Sequence, residues 1–220
     1  MRQVPSLACV LAALTLAACA AAPVRYYSLA GAPQGRVTGP VDAGSAARQQ
    51  IHFEVGPVGV PDRLAKPQMV VRDQGSEAGA GASTRVRVLE QQRWSSSFDS
   101  ELRDAFGNAI AARARAVDVT RGGRLPGHPV YRIAIRVQHY EAILDDQVQA
   151  RFGWTITRSD DVRSAICHVA VSAPGGKGLD DMVQAVQDIV GHAADRIAAQ
   201  LLQLQASGSA ACESGDAGGA

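Results

Sequence analysis

Three neighbouring stretches decide the fold: YRIAIRVQH at 131–139, VQARFGWTI at 148–156 and RSAICHVAVS at 163–172. In the first, Tyr131, Ile133, Ile135 and Val137 alternate with Arg132 and Arg136. In the second, Val148, Ala150, Phe152, Trp154 and Ile156 alternate with Gln149, Arg151 and Thr155. In the third, Ala165, Cys167, Val169 and Val171 share one parity. Successive side chains of a strand point to opposite faces, so this period of two predicts strands with one buried side. Asp145-Asp146 and Ser159-Asp160-Asp161 supply turns between them. The three segments therefore predict an antiparallel meander with one apolar face and one polar face.

That apolar face needs a cover, and two amphipathic segments can provide it. After Ser95-Ser96-Ser97, which offer N-cap hydroxyls, Phe98, Leu102, Ala105, Phe106, Ala109 and Ile110 recur at helical spacing, predicting a helix to about Arg115. From Leu179 to Leu204 a longer stripe runs through Met182, Val183, Val186, Ile189, Val190, Ala193, Ile197 and Leu201, with Asp180 and Asp181 in its first turn to suit the helix dipole. Shorter strands are expected at 26–29, 51–55, 68–72, 85–89 and 117–119. The order strands, helix, strands, helix predicts an α+β fold: an antiparallel or mixed sheet with two amphipathic helices packed on one face. Residues 26–205 form this domain, with loops at 30–50 and 73–84 rich in Gly, Pro or Ala. Residues 206–220 are a Gly/Ser/Ala tail with no reason to fold.

The start of the chain reads differently. Arg2 precedes an apolar run over 7–18 that is about the length of a signal h-region and too short to span a bilayer. It ends in Leu16-Ala17-Ala18-Cys19, which has the form of a lipobox. Small residues precede the cut, and the Cys19 thiol accepts a diacylglyceryl group. Residues 1–18 are therefore expected to be a lipoprotein signal peptide, Cys19 the lipid attachment site and 19–25 a short tether. Acyl chains on Cys19 exceed what stable anchoring requires. Residue 20 is Ala rather than Asp, which in lipoproteins resembling this one implies sorting to the periplasmic face of the outer membrane. No other apolar run approaches the roughly 18 residues of a membrane span.

Composition excludes some functions. Of 220 residues, 46% are hydrophobic and 20% charged, as in ordinary globular proteins. Loss of Arg2 with the leader leaves 21 basic against 21 acidic residues, which gives no electrostatic reason to expect nucleic acid as a partner. Of four cysteines, Cys9 leaves with the leader and Cys19 is the anchor. Cys167 reads as a small core residue. An oxidising compartment would allow a Cys167–Cys212 bridge, but the position of Cys212 in the tail argues against it. No hydrolase, nucleotide-binding or zinc signature is present. His52, His128, His139, His168 and His192 stand at no metal-ligand spacing. The pairs Asp145/Asp146 and Asp160/Asp161 read as solvated turns rather than acid/base carboxylates. Arg132, Arg136 and Arg151 read as a solvated face before a headgroup-binding patch. No catalytic residue, cofactor or metal is implied.

Tyr26-Tyr27-Ser28-Leu29 soon after the lipobox, Val55-Gly56-Pro57-Val58 with Pro61 and Leu64, Pro67-Gln68 with 70–72, Arg93-Trp94 before the first helix, and the final amphipathic helix together resemble the ABC-type transport auxiliary lipoproteins (the PqiC-like family) over about 16–205. The resemblance implies a non-enzymatic subunit of a system that contains an MCE-domain protein and an ABC permease and ATPase. Such a system moves lipids or other hydrophobic molecules across the envelope, with the lipoprotein docking the MCE component at the outer membrane. A homo-oligomer is compatible with that role. The working surface is expected on the open sheet face or the loops around Pro57 to Pro67. The alternatives are a structural outer-membrane lipoprotein that supports another envelope machine and, more remotely, a hydrolase with an unrecognised site.

Overall fold

In chain order the elements are β1 (Arg25–Tyr27), β2 (His52–Val55), β3 (Gln68–Arg72), β4 (Val86–Trp94), α1 (Phe98–Ala114), β5 (Val117–Asp118), β6 (Val130–Ala142), β7 (Gln147–Arg158), β8 (Ser164–Pro174) and α2 (Gly178–Ser207), with one 3₁₀ turn at Asp62–Leu64. The computed structural model describes residues 22–30, 50–73, 85–123, 127–161 and 164–212. The expected signal peptide and Cys19 lie outside them, as do almost all of the loops 30–50 and 73–84.

The meander is present. β6 pairs with β7 and β7 with β8, both antiparallel, and Ile135, Trp154 and Cys167 fall in one cross-strand row. Their apolar parity is buried: Ile133, Ile135, Val148, Phe152, Ile156, Val169 and Val171 belong to one continuous core. β6 outruns the expected strand because a bulge lies between Val137 and His139. Two successive residues, Gln138 and His139, are exposed there, after which Tyr140 and Ala142 return to the core. The extra residue resets the parity, so simple alternation breaks at His139 although the strand continues.

The α+β class holds, but the strands divide between two sheets. The larger has the order β5-β2-β6-β7-β8 and the smaller β1-β4-β3. β2 joins β5 and β6 in parallel, and β1 joins β4 in parallel. These are the non-local pairings, which need crossover connections. The two sheets meet along β6, where Arg72 bridges Ile143 and the Leu144 amide donates to the Arg72 carbonyl at 3.3 Å. β4 runs on to Trp94, beyond the expected end at Leu89. Its pairing jumps from Met69↔Leu89 to Gln68↔Arg93, and this irregularity lets both Leu89 and Trp94 face inward.

Helices α1 and α2 lie side by side on the larger sheet, α1 over β2 and β5, α2 over β7 and β8. Phe106 of α1 meets Phe152 of β7 edge to face with centroids 5.3 Å apart, and both are wholly buried. Trp94, Phe98 and Tyr140 form a second aromatic cluster, at 5.3 and 5.0 Å, where the small sheet meets α1. Arg113 of α1 ion-pairs with Asp195 of α2, passing Gly191.

The C-terminal end corrects one expectation. α2 extends to Ser207, Gly208 caps it in the left-handed region at φ 73°, and Cys212 is disulfide-bonded to Cys167 of β8 with Cα atoms 5.6 Å apart. The physical reason is position: Cys167 sits on β8 beside α2, so the chain leaving α2 passes within reach of it. Closing a loop of 45 residues removes unfolded-state entropy. Reduction, or Cys212→Ser, is expected to lower stability by about 2–4 kcal/mol. Thermal melting with and without reductant measures this, with Cys212→Ser insensitive to the reductant.

Candidate functional site: the N-terminal strand and its clasp

Residues 26–29 are the first of the fold after the expected tether, and each of the four has a distinct environment. Tyr26 is 65% exposed, whereas Tyr27 is half-buried against the core and Leu29 is buried within it. Ser28 points its hydroxyl at the carboxylate of Glu101, one turn into α1, at 3.0 Å. The Leu29 amide donates to the same carboxylate at 2.9 Å. The Ser28 carbonyl accepts from Gln187 Nε2 of α2 at 3.3 Å, and the Tyr27 carbonyl accepts from the Ser95 amide at 2.7 Å. This segment is thus held by both helices and by the residue that follows β4.

Glu101 is the centre of this clasp. It is only 4% exposed, yet it also accepts from the Ser95 hydroxyl at 2.5 Å and from the Ser96 amide and hydroxyl at 3.1 and 2.9 Å. Burial is the strongest single influence on its carboxyl and pushes it up. The hydrogen bonds from Ser95, the Leu29 amide, Ser96 and Ser28 together outweigh burial and hold it below the ordinary carboxylate value. Ser97, the N-cap of α1, makes no side-chain cap; Ser95 and Ser96 are spent on Glu101 instead. Glu101 escaped the sequence reading because an acid behind a serine run resembles ordinary helix-start charge. Nothing local shows that Ser28 and Leu29, more than 70 residues earlier, come to it.

The other sequence candidates are dispersed. His52 is buried edge-on to His128 at 5.4 Å, while His139, His168 and His192 are exposed on separate elements. Among the described residues no group of three His, Cys, Asp or Glu side chains is placed to hold a metal. Asp145, at φ 61°, accepts from the Gly178 amide at 2.7 Å, so the β6–β7 turn caps α2. Asp160 pairs with Arg158. On the open sheet face Arg132 pairs with Glu54 at 2.6 Å, and Arg136 and Arg151 are exposed. The 56–67 segment is built into the fold: the Gly56 and Gly59 amides donate to the Ile133 and Ile135 carbonyls at 3.0 and 2.9 Å, and Val58 and Leu64 are buried.

Two recesses stand out among the described residues. One of about 30 Å³ lies beside the disulfide, where Trp154 Nε1 donates to Gln200 Oε1 at 2.6 Å. The other, of about 10 Å³, lies between Trp94, Tyr140 and Met182. Each is water-sized, far below the roughly 300–1,000 Å³ of a small-molecule site. Among the described residues no helix is long and apolar enough to cross a membrane.

Fold and clasp define the class: an α+β domain entered through a short strand that both helices lock in place. The family follows from direct comparison. Residues 27–198 match the model of the ABC-type transport auxiliary lipoprotein component, and the chain belongs to that family. It is therefore a lipoprotein of the kind that serves ABC-type transport as an auxiliary component. A solved structure described only as an uncharacterized protein is similar in fold, with TM-score 0.59 and 15% identity, covering 82% of this chain and 99% of that one. Protein XCC0632 from Xanthomonas campestris is also similar, with TM-score 0.55 and 16% identity, covering 71% and 86% respectively. A search of curated proteins finds no match.

Proposed function

We propose that this chain is a non-enzymatic auxiliary subunit of an ABC/MCE-type system that moves lipids or other hydrophobic molecules across the envelope. It docks the MCE component at the periplasmic face of the outer membrane, held there by acyl chains on Cys19. The family match carries the reading. The clasp supports it, because a docking subunit must transmit load between its anchor and its body. Glu101, Ser95 and Gln187 tie the strand next to the anchor directly into both helices. The water-sized recesses favour a scaffold over a carrier that encloses lipid. The partners are an MCE-domain protein with its ABC permease and ATPase; no cofactor takes part.

Affinity purification from detergent-solubilised membranes of cells expressing the tagged full-length lipoprotein tests the reading. An MCE-domain protein is the expected co-purifying partner. Recovery of a secretion or cell-wall assembly in its place would favour the structural-lipoprotein alternative and overturn the transport role.

A further inference from the structure

We propose that the outer face of the small sheet β1-β4-β3 lies against the lipid bilayer, so that the protein rests on its membrane in a fixed orientation. The inference rests on the reading of Cys19 as the lipid anchor. Of the six exposed large hydrophobic side chains among the described residues, Tyr26, Val86 and Val88 belong to this sheet, and Val24 stands just before it. Register brings the three together on one side. Val88 pairs with Val70, Val86 with Arg72, and Arg93 with both Gln68 and Tyr26. Met69 and Val71, the opposite parity of β3, are wholly buried, which fixes Gln68, Val70 and Arg72 and their partners as the outward set.

On the outward parity lie Arg93 and Arg72, the latter ion-paired with Glu141, whereas Arg25 and Arg87 pair with Gln92 and the buried Val71 and belong to the other parity. Valines and an amphipathic tyrosine beside Arg93 match a headgroup boundary, where Tyr keeps its hydroxyl wet and Arg extends its charge to phosphate. Chain length selects the occupant. Six residues separate Cys19 from Tyr26, a reach of roughly 20 Å. A face tethered so closely meets the bilayer at high effective concentration, and weak contacts suffice to orient it. Glu101 and Gln187 grip Ser28 and Leu29, so β1 cannot swing free of the body and the face stays aligned with the tether.

Reporter tryptophans in the full-length, lipidated protein test this. Tyr26→Trp and Val88→Trp report the proposed face, and Ile166→Trp, on the edge strand β8 of the other sheet, is the control. Native Trp94 and Trp154, both buried, are a common background. Each protein is reconstituted into vesicles of phosphatidylethanolamine and phosphatidylglycerol, with and without brominated phosphatidylcholine. The reporters at 26 and 88 are expected to lose emission to brominated lipid, and the reporter at 166 to keep it. Vesicle-bound protein with all three reporters unquenched by brominated lipid overturns the orientation while the anchor stands. Reporters at 26 and 88 that are shielded from aqueous iodide yet untouched by brominated lipid would overturn it in favour of contact with a second copy of this chain, the only protein in the vesicles. Failure of the wild type to float with vesicles, or flotation of an unlipidated Cys19→Ser variant to the same extent, would remove the anchor reading and this inference with it.

Discussion

Glu101→Ala is expected to destabilise the domain by about 3–5 kcal/mol, because it leaves several buried or half-buried donors without an acceptor. A lowering of the melting temperature on the order of 10 °C follows for a domain of this size. The loss reaches beyond α1. The Leu29 amide and the Ser28 hydroxyl are released together with Ser95 and Ser96, so β1 loses its grip on the helix layer. Amide exchange over 26–29 should rise before global unfolding; unchanged protection there would remove Glu101 from the role of clasp. Glu101→Gln separates shape from charge. Its amide keeps one acceptor oxygen but turns hydrogens toward the same donors, and a smaller loss is expected. The pH dependence has a defined sign. The folded carboxyl lies below its ordinary value, so its stabilisation is fully present above the ordinary carboxylate range and is lost as pH falls through the folded value. The stability gap between wild type and Glu101→Gln should therefore narrow in acid, below about pH 4. A gap that is constant from neutral pH into acid would contradict the assignment.

Phe106→Ala is expected to cost about 3–5 kcal/mol, as for other fully buried phenylalanines. Phe106 joins α1 to β7 through its edge-to-face contact with Phe152, and neither ring is exposed. Truncation leaves a cavity between helix and sheet that α2, itself held against α1 by Arg113–Asp195, can close only in part. Phe106→Leu, which keeps most of the volume, should cost less than about 1.5 kcal/mol. Denaturant unfolding of both variants gives the comparison. Equal losses would mean that the site collapses without a cavity and that the ring contact, absent from both variants, carries the cost.

The legible and illegible parts of this protein differ by range. The meander and both helices were read from their periods, because burial on one face repeats every two residues in a strand and every 3.6 in a helix. The readings ended where periodicity is interrupted by irregular geometry: at His139 because of the bulge, and at Leu89 because of the register jump in β4. The division into two sheets was hidden for a related reason. β1 and β2 find their partners only in parallel, across long connections, and no local pattern encodes such a partner. The composition of the tail argues against the Cys167–Cys212 bridge, yet it says nothing about where the end of α2 delivers the chain.

By itself the sequence determined the strand and helix content, and its Leu16-Ala17-Ala18-Cys19 pattern carries the proposal of a leader and a lipid anchor. All of these depend on residues near one another along the chain. Tertiary structure alone decided that Glu101 is a buried hub rather than a helix-start charge. It likewise decided that Tyr26 faces outward while Tyr27 and Leu29 face inward, and that Val86 and Val88 share a face with Tyr26. The reason is physical: whether a carboxylate or a valine is buried depends on which distant segments pack over it, and packing is settled only when the whole core closes.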